Sequence, residues 1–179
     1  MPEFGTFDTL TPEVIFTAAE EAFNCRFSGV LLPLPSYINR VYEMESADRE
    51  RFIIKFYRPG RWSRAALLEE HVFTLEAREA EIPVIAPLRL ANGSTLGTAP
   101  DGTFFGAFPK RWGRGLEPES DAPVWRRLGA LIGRLHTVGA ARAAKHRIRL
   151  DPPGNTLNEV APPLSCGGAS ERGLPALTS

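Results

Sequence analysis

The chain is poor in the side chains that metals and disulfides need: it has two cysteines, Cys25 and Cys166, and three histidines. Two cysteines make neither a disulfide framework nor a metal-binding cluster, and their scarcity fits a reducing, cytoplasmic setting. His71, His136 and His146 have no companions at metal-ligand spacing, and His136, after "GRL" on an apolar helix, reads as structural. An excess of charge is missing too, because 21 Lys and Arg balance 21 Asp and Glu. That balance gives no reason to expect nucleic acid or an acidic membrane as partner. No run of about 18 apolar residues is available to cross a bilayer. The opening "MPEFGTFDTLTPEV" lacks the basic stretch and apolar run of a signal peptide. The expectation is a soluble, cytoplasmic protein. Its 179 residues suffice for one domain with a core, or for one lobe and part of another.

Within that frame the chain alternates helical and extended patterns. Thr11, Pro12 and Glu13 form a helix start, with a cap, a proline at the first helical position and an acid in the first turn; Val14, Ala18 and Ala22 then share a face. "FSGVLLPL" is predicted as a strand, and "NRVYEME" and "RFIIKFY" as two more joined by the turn "SADRE". Ser63 can cap a helix through "RAALLEEHVFTLEAREA", with Leu68, Val72 and Leu75 on one apolar face and Ala66, Phe73 and Ala77 on another. "VIAPLRL" and "FFGAF" are predicted as strands around the turn "ANGS", although Pro87 argues against a central ladder position. After Asp121, "APVWRRLGALIGRLHTVG" is predicted as a helix with Trp125, Leu128, Ile132 and Leu135 near one face and Gly139 as terminator. Past Asn158 the Pro-, Gly- and Ser-rich "EVAPPLSCGGASERGLPALTS" offers no packed element. It fits disorder, truncation or a shifted reading frame better than a functional tail.

The informative oddity is Lys55. Alternation in "RFIIKFY" places Phe52, Ile54 and Phe56 on one face and Ile53, Lys55 and Tyr57 on the other, so the lysine has apolar neighbours on its own side. A lysine so placed needs an anionic partner or a path to water. An outward-pointing edge-strand lysine, which discourages sheet-to-sheet association, is the plain alternative. The following helix offers Glu70 on an apolar face, while Glu69 tends toward Glu76 and solvent. A Lys55–Glu70 pair could aim the ammonium at nucleotide phosphates. The plain alternative for Glu70 is an ordinary intrahelical or surface ion pair with Arg64, Arg78 or a nearby strand residue.

The stretches "LPSYINRVYEM", "RFIIKFYRPGRW", "LLEEHVF", "EIPVIAPL", "FFGAFP", "LGALIGRLH" and, more weakly, "GNTLNEV" decide between these readings. In their order and spacing, over residues 6 to 160, the chain resembles the amino-terminal part of the bacterial stress response kinases, protein kinases of the aminoglycoside phosphotransferase and choline kinase-like superfamily. The resemblance implies an α+β fold: a protein-kinase-like amino-terminal lobe with an antiparallel sheet and helix, followed by the first helix of a truncated carboxy-terminal lobe. It divides the chain into a nucleotide-binding lobe over 1–110, a hinge and the start of the second lobe over 111–158, and an irregular tail over 159–179. It implies that Lys55 contacts phosphate and that Glu70 is its helix partner. Ser36, Tyr37 and Asn39, with nearby backbone N–H groups, correspond to the loop that covers phosphate, a stretch that without the family is simply an exposed turn. Phe108 corresponds to the back of the adenine pocket, and the Pro109 carbonyl or the Arg111 amide to groups that bond the base edge. Arg111, Trp112 and Arg114 are a weak stacking signal and read better as a solvated turn.

The implied activity is ATP-dependent, magnesium-assisted phosphorylation of serine or threonine on a protein substrate in a stress response. Family members carry the acceptor and magnesium chemistry on segments resembling "HGDxHxxN" and a later "DxDD", and neither occurs in the 179 residues. Asp151 and Asn155 in "LDPPGN" lack the flanking residues of those motifs. No catalytic residue and no metal ligand is therefore assigned, and the expectation is weak ATP binding without transfer. Apolar surfaces that would meet a second lobe are expected to drive self-association. A small-molecule kinase of the aminoglycoside or choline type, and a noncatalytic nucleotide- or protein-binding module, are the competing functions.

Overall fold

The computed structural model describes residues 5–113, 115, 117 and 121–148. Arg114, Asp151, Asn155, Cys166 and the tail over 159–179 lie outside the described residues. The chain divides into two units, Met1–Arg147 and Ile148–Ser179, and all the elements named below belong to the first.

Helix α1 (Pro12–Phe23) starts where the capping residues place it: Thr11 Oγ1 accepts the Val14 N–H at 3.4 Å. A cap of this kind contributes about 1 kcal/mol. The helix ends at Asn24, in the left-handed region at φ 50°, whose N–H bonds the Glu20 carbonyl. Strands β1 (Phe27–Leu34), β2 (Arg40–Ser46) and β3 (Arg51–Phe56) follow as an antiparallel meander, and α2 (Arg64–Glu79) begins after Ser63, whose hydroxyl accepts the Ala66 N–H. Strands β4 (Leu96–Thr98) and β5 (Phe104–Pro109) complete an antiparallel sheet of order β1-β2-β3-β5-β4, and α3 spans Ala122–Ala140. The α+β, kinase-like architecture that the resemblance implies is the one observed.

Each face of the sheet has its own core. Ile54 and Phe56, fully buried, pair across the ladder with Ala107 and Phe105 and pack with Met44 against Ile15, Ala18, Ala19 and Ala22 of α1. The opposite face carries Lys55, and there Tyr57, Leu67 and Leu96 pack with Trp62, Leu68 and Phe104 beneath α2.

Several expectations need correction. "VIAPLRL" is not a strand: Pro83 just before it and Pro87 within it cannot donate, and in place of a ladder it has single bonds, Leu88 N–H to the Ala107 carbonyl of β5 and Leu90 N–H to the Ser94 carbonyl. Leu96–Thr98 takes the place beside β5, and the hairpin turn is Ala99–Thr103, with Gly102 at φ 86°, not "ANGS". In α2 the buried residues are Ala66, Leu67, His71 and Ala77, while Val72 faces solvent. Gly139 does not end α3 but lies within it, where a Cβ would sit 3.6 Å from the Phe73 ring.

Candidate functional site

Lys55 sits in the middle of β3, in register with Val41 of β2 and Gly106 of β5. Its Nζ lies 3.3 Å from Glu70 Oε1 and 4.5 Å above the Tyr57 ring. Helix α2 therefore delivers Glu70, not Glu69, to the lysine. Both side chains are partly exposed, 27% and 31%. Solvent screening at that exposure keeps the pair to about 1 kcal/mol of stability or less. Its effect is to fix the direction of the ammonium.

Glu70 is shared. Its second oxygen, Oε2, lies 3.2 Å from Arg147 Nη1, and the Arg147 guanidinium rests on the Trp62 ring at 4.1 Å. Arg147 has no motif or spacing that singles it out, and it approaches α2 from the segment after α3. Glu69, expected in solvent, instead accepts the N–H groups of Lys145 at 2.7 Å and His146 at 2.9 Å. Those two bonds hold its carboxyl below the usual carboxylate range.

Beneath the pair lies a polar chain inside the second core. The buried His71 ring bonds Tyr57 Oη at 2.6 Å through Nε2 and Thr95 Oγ1 at 2.9 Å through Nδ1. A neutral imidazole makes both bonds, donating from one nitrogen and accepting at the other. Burial pushes the His71 pKa down and, with the nearby Glu70 charge, pushes the Tyr57 phenol up. Gly106 makes room for the imidazole, since a Cβ there would meet His71 Cε1 at 3.0 Å. His71 also packs edge-on to Phe108, with centroids 6.1 Å apart.

The remaining candidates flank this centre. Ser36, Tyr37 and Asn39 occupy the connection between β1 and β2; Tyr37 is 98% exposed, and Asn39 Oδ1 accepts the Arg58 N–H at 3.2 Å, tying the turn to the end of β3. Phe108 lies opposite Ile53 and Pro109 opposite Phe52, so β5 runs directly into Arg111 and the 86% exposed Trp112. A second feature that sequence reasoning missed fixes this exit. The buried Glu43 receives Lys110 Nζ at 2.5 Å and Arg51 Nη1 at 2.7 Å, and these two bonds hold its carboxyl below the usual range. Glu43 and Lys110 both face the Lys55 side by strand alternation, so the cluster pins the start of the exit segment across the sheet. Among the described residues no three His, Cys, Asp or Glu side chains converge to hold a metal ion.

Taken together, the arrangement presents one oriented cation, an exposed turn with backbone donors, and a strand exit. Residues 30–164 match the APH model, the phosphotransferase enzyme family. Stress response kinase A of Escherichia coli K12 is 41% identical over 142 residues, covering 79% of this chain and 42% of the relative. Serine/threonine protein kinase RdoA of Salmonella typhimurium LT2 is 45% identical over 137 residues, covering 76% and 40%. The chain thus spans about two fifths of the length of the curated relatives it matches. Among solved structures, an amicoumacin kinase in complex with AMP-PNP, Ca2+ and Ami superposes with a TM-score of 0.64 at 22% identity, over 74% of this chain and 41% of that one. A spectinomycin phosphotransferase in complex with ADP and spectinomycin gives 0.55 at 11% identity, over 71% and 38%. At those identities the two structures bear on the fold alone.

Proposed function

The chain belongs to the phosphotransferase enzyme family, and on that footing we propose that it carries the ATP-binding half of a serine/threonine protein kinase of bacterial stress response. The observation that carries the proposal is the Lys55–Glu70 pair, joining β3 to α2 on the face of the sheet that leads to the β5 exit. In this reading residues 1–110 form the nucleotide lobe and 111–158 the hinge and start of the second lobe. Lys55 bonds phosphate oxygens of ATP while Glu70 keeps the ammonium aimed, and N–H groups of the 35–39 turn, with Ser36, Tyr37 and Asn39, close over the phosphates. Phe108 backs the adenine, and the Pro109 carbonyl and Arg111 amide bond its edge. Magnesium, when bound with ATP, neutralises charge on the phosphates. Among the described residues no cluster of ligands is gathered for it.

The 179 residues contain neither "HGDxHxxN" nor "DxDD", so nothing in them is assigned to positioning an acceptor hydroxyl. The polypeptide of this length is expected to bind ATP weakly and to transfer no phosphoryl group. A protein substrate is favoured over a small-molecule one because the relatives at 41% and 45% identity are named as stress response or serine/threonine kinases.

A calorimetric ATP titration of the parent and of Lys55→Ala tests the reading. Loss of one charge-assisted contact should weaken binding about tenfold or more. Equal affinity in the two proteins would refute the assignment of Lys55, and metal-dependent transfer by the parent would refute the expected inactivity.

A further inference from the structure

We infer that Arg147 is a positioning residue for this site: it holds Glu70 from behind in the orientation that faces Lys55. The inference rests on the nucleotide reading proposed above and adds a second cation to it. Glu70 gives one carboxylate oxygen to each cation, Oε1 to Lys55 at 3.3 Å and Oε2 to Arg147 at 3.2 Å. Phosphate oxygens compete with Glu70 for the ammonium, so a carboxylate tied to the lysine alone would lose its only anchor when nucleotide arrives. Arg147 supplies an anchor that the nucleotide does not touch.

The guanidinium is itself held on several sides. Its Cζ lies over the Trp62 ring at 4.1 Å, and Trp62 packs in the same apolar cluster as Tyr57, Leu67 and Leu96. Glu69 grips the two amides that precede it, Lys145 and His146, and Arg142 pairs with Glu76 at 3.0 Å. Three carboxylates of α2, the adjacent Glu69 and Glu70 and, about two turns further on, Glu76, thus clasp residues 142 to 147. Arg147 Nη1 approaches Glu70 without hydrogen-bond alignment, so the hold is a charge contact whose geometry is set by the seat on Trp62. Between α2 and the clasped segment lies a cavity of about 290 Å³ bordered by Phe73, Val138, Gly139, Glu70 and Arg147. Without Arg147, the Glu70 side chain has that space to swing into and away from Lys55.

A double-mutant cycle on ATP affinity tests this, using a fluorescent ATP analogue with the full chain and the variants Arg147→Ala, Glu70→Ala and both together. Arg147→Ala should weaken binding about fivefold in the parent and have no further effect once Glu70 is gone, the coupling expected of residues that act as a unit. Arg147→Lys, which keeps the charge but loses the flat seat on Trp62, should fall between, and it replaces Arg147→Ala in the cycle if that variant does not fold. An equal loss with and without Glu70 would show that Arg147 acts on its own and overturn the inference. So would an unchanged affinity in Arg147→Ala while Lys55→Ala still loses binding, an outcome that leaves the nucleotide reading standing. If Lys55→Ala also binds as the parent does, the nucleotide reading falls and the inference with it.

Discussion

The two faces of one sheet are built on opposite principles. On the α1 side Ile54, Phe56, Phe105 and Ala107 meet Ile15, Ala18, Ala19 and Ala22, a cluster that is wholly apolar among the described residues. On the α2 side, Lys55 of β3, Glu43 of β2 and the residues just past β3 and β5, Tyr57 and Lys110, are polar, and each is held by another: Lys55 by Glu70, Tyr57 by His71, Lys110 by Glu43. Period-2 alternation lets one strand serve both purposes, stability on one face and an oriented charge on the other. The face that stabilises the sheet and the face that the proposed function gives to nucleotide can therefore be broken separately.

The largest effect is expected on the closed face. Phe56→Ala removes a fully buried ring and should cost about 3–5 kcal/mol. Urea melts would register the loss, while ATP affinity of the folded fraction should stay near the parent value. A smaller effect is expected from Tyr57→Phe, which leaves a His71 ring nitrogen unpaired in the second core, at about 1–3 kcal/mol. A melt that matches the parent would mean that the bond contributes nothing.

The pH dependence sharpens the comparison further, because only the open face buries a histidine. The folded pKa of His71 lies below its ordinary value, so the unfolded chain takes up a proton first as pH falls. The contribution of His71 is fully present above pH of about 6.5 and is lost progressively as pH falls from there to the lowered folded value. Thermal melts between neutral pH and about pH 5.5 should show this decline in the parent and less of it in His71→Gln. A parallel decline in both would assign it elsewhere.

Smallest in stability, though not in solution behaviour, is the effect expected from α3. No residue of that helix is buried, and Trp125 and Ile132 are 44% and 45% exposed on its apolar stripe. Replacing both with serine should leave the melting temperature unchanged and reduce concentration-dependent association in sedimentation velocity. Association that persists undiminished would place the contact on another surface.

Local signals carried much of the fold. Capping residues and alternation were enough for α1 and for β1 to β3, because those elements are decided by neighbours in sequence. The short β4 was not legible: the apolar run at 84–90 has a strand's composition, but Pro87 takes a donor from its middle, and the three-residue strand that replaces it has too little pattern to announce itself. In the site, Lys55 was conspicuous as a charge in an apolar strand, and Glu70 as a charge on an apolar helix face. Glu43, Lys110 and Arg147 were not, since a charged residue in a polar stretch looks solvated until the fold brings its partner across. His71 looked solitary for the same reason: Thr95 is distant in sequence, and no spacing rule connects a tyrosine to a histidine on the next helix.

Lysine occurs in this chain only at Lys55, Lys110 and Lys145, which permits a direct test of the central claim. An acyl-phosphate derivative of ATP transfers its acyl group to an amine lying beside bound phosphates, and mass spectrometry identifies the acceptor. The account predicts acylation at Lys55, suppressed by excess ATP and abolished in Lys55→Ala without compensation elsewhere. Labelling that favours Lys110 or Lys145, or that ATP fails to suppress at Lys55, would contradict the placement of the nucleotide phosphates beside the Lys55–Glu70 pair.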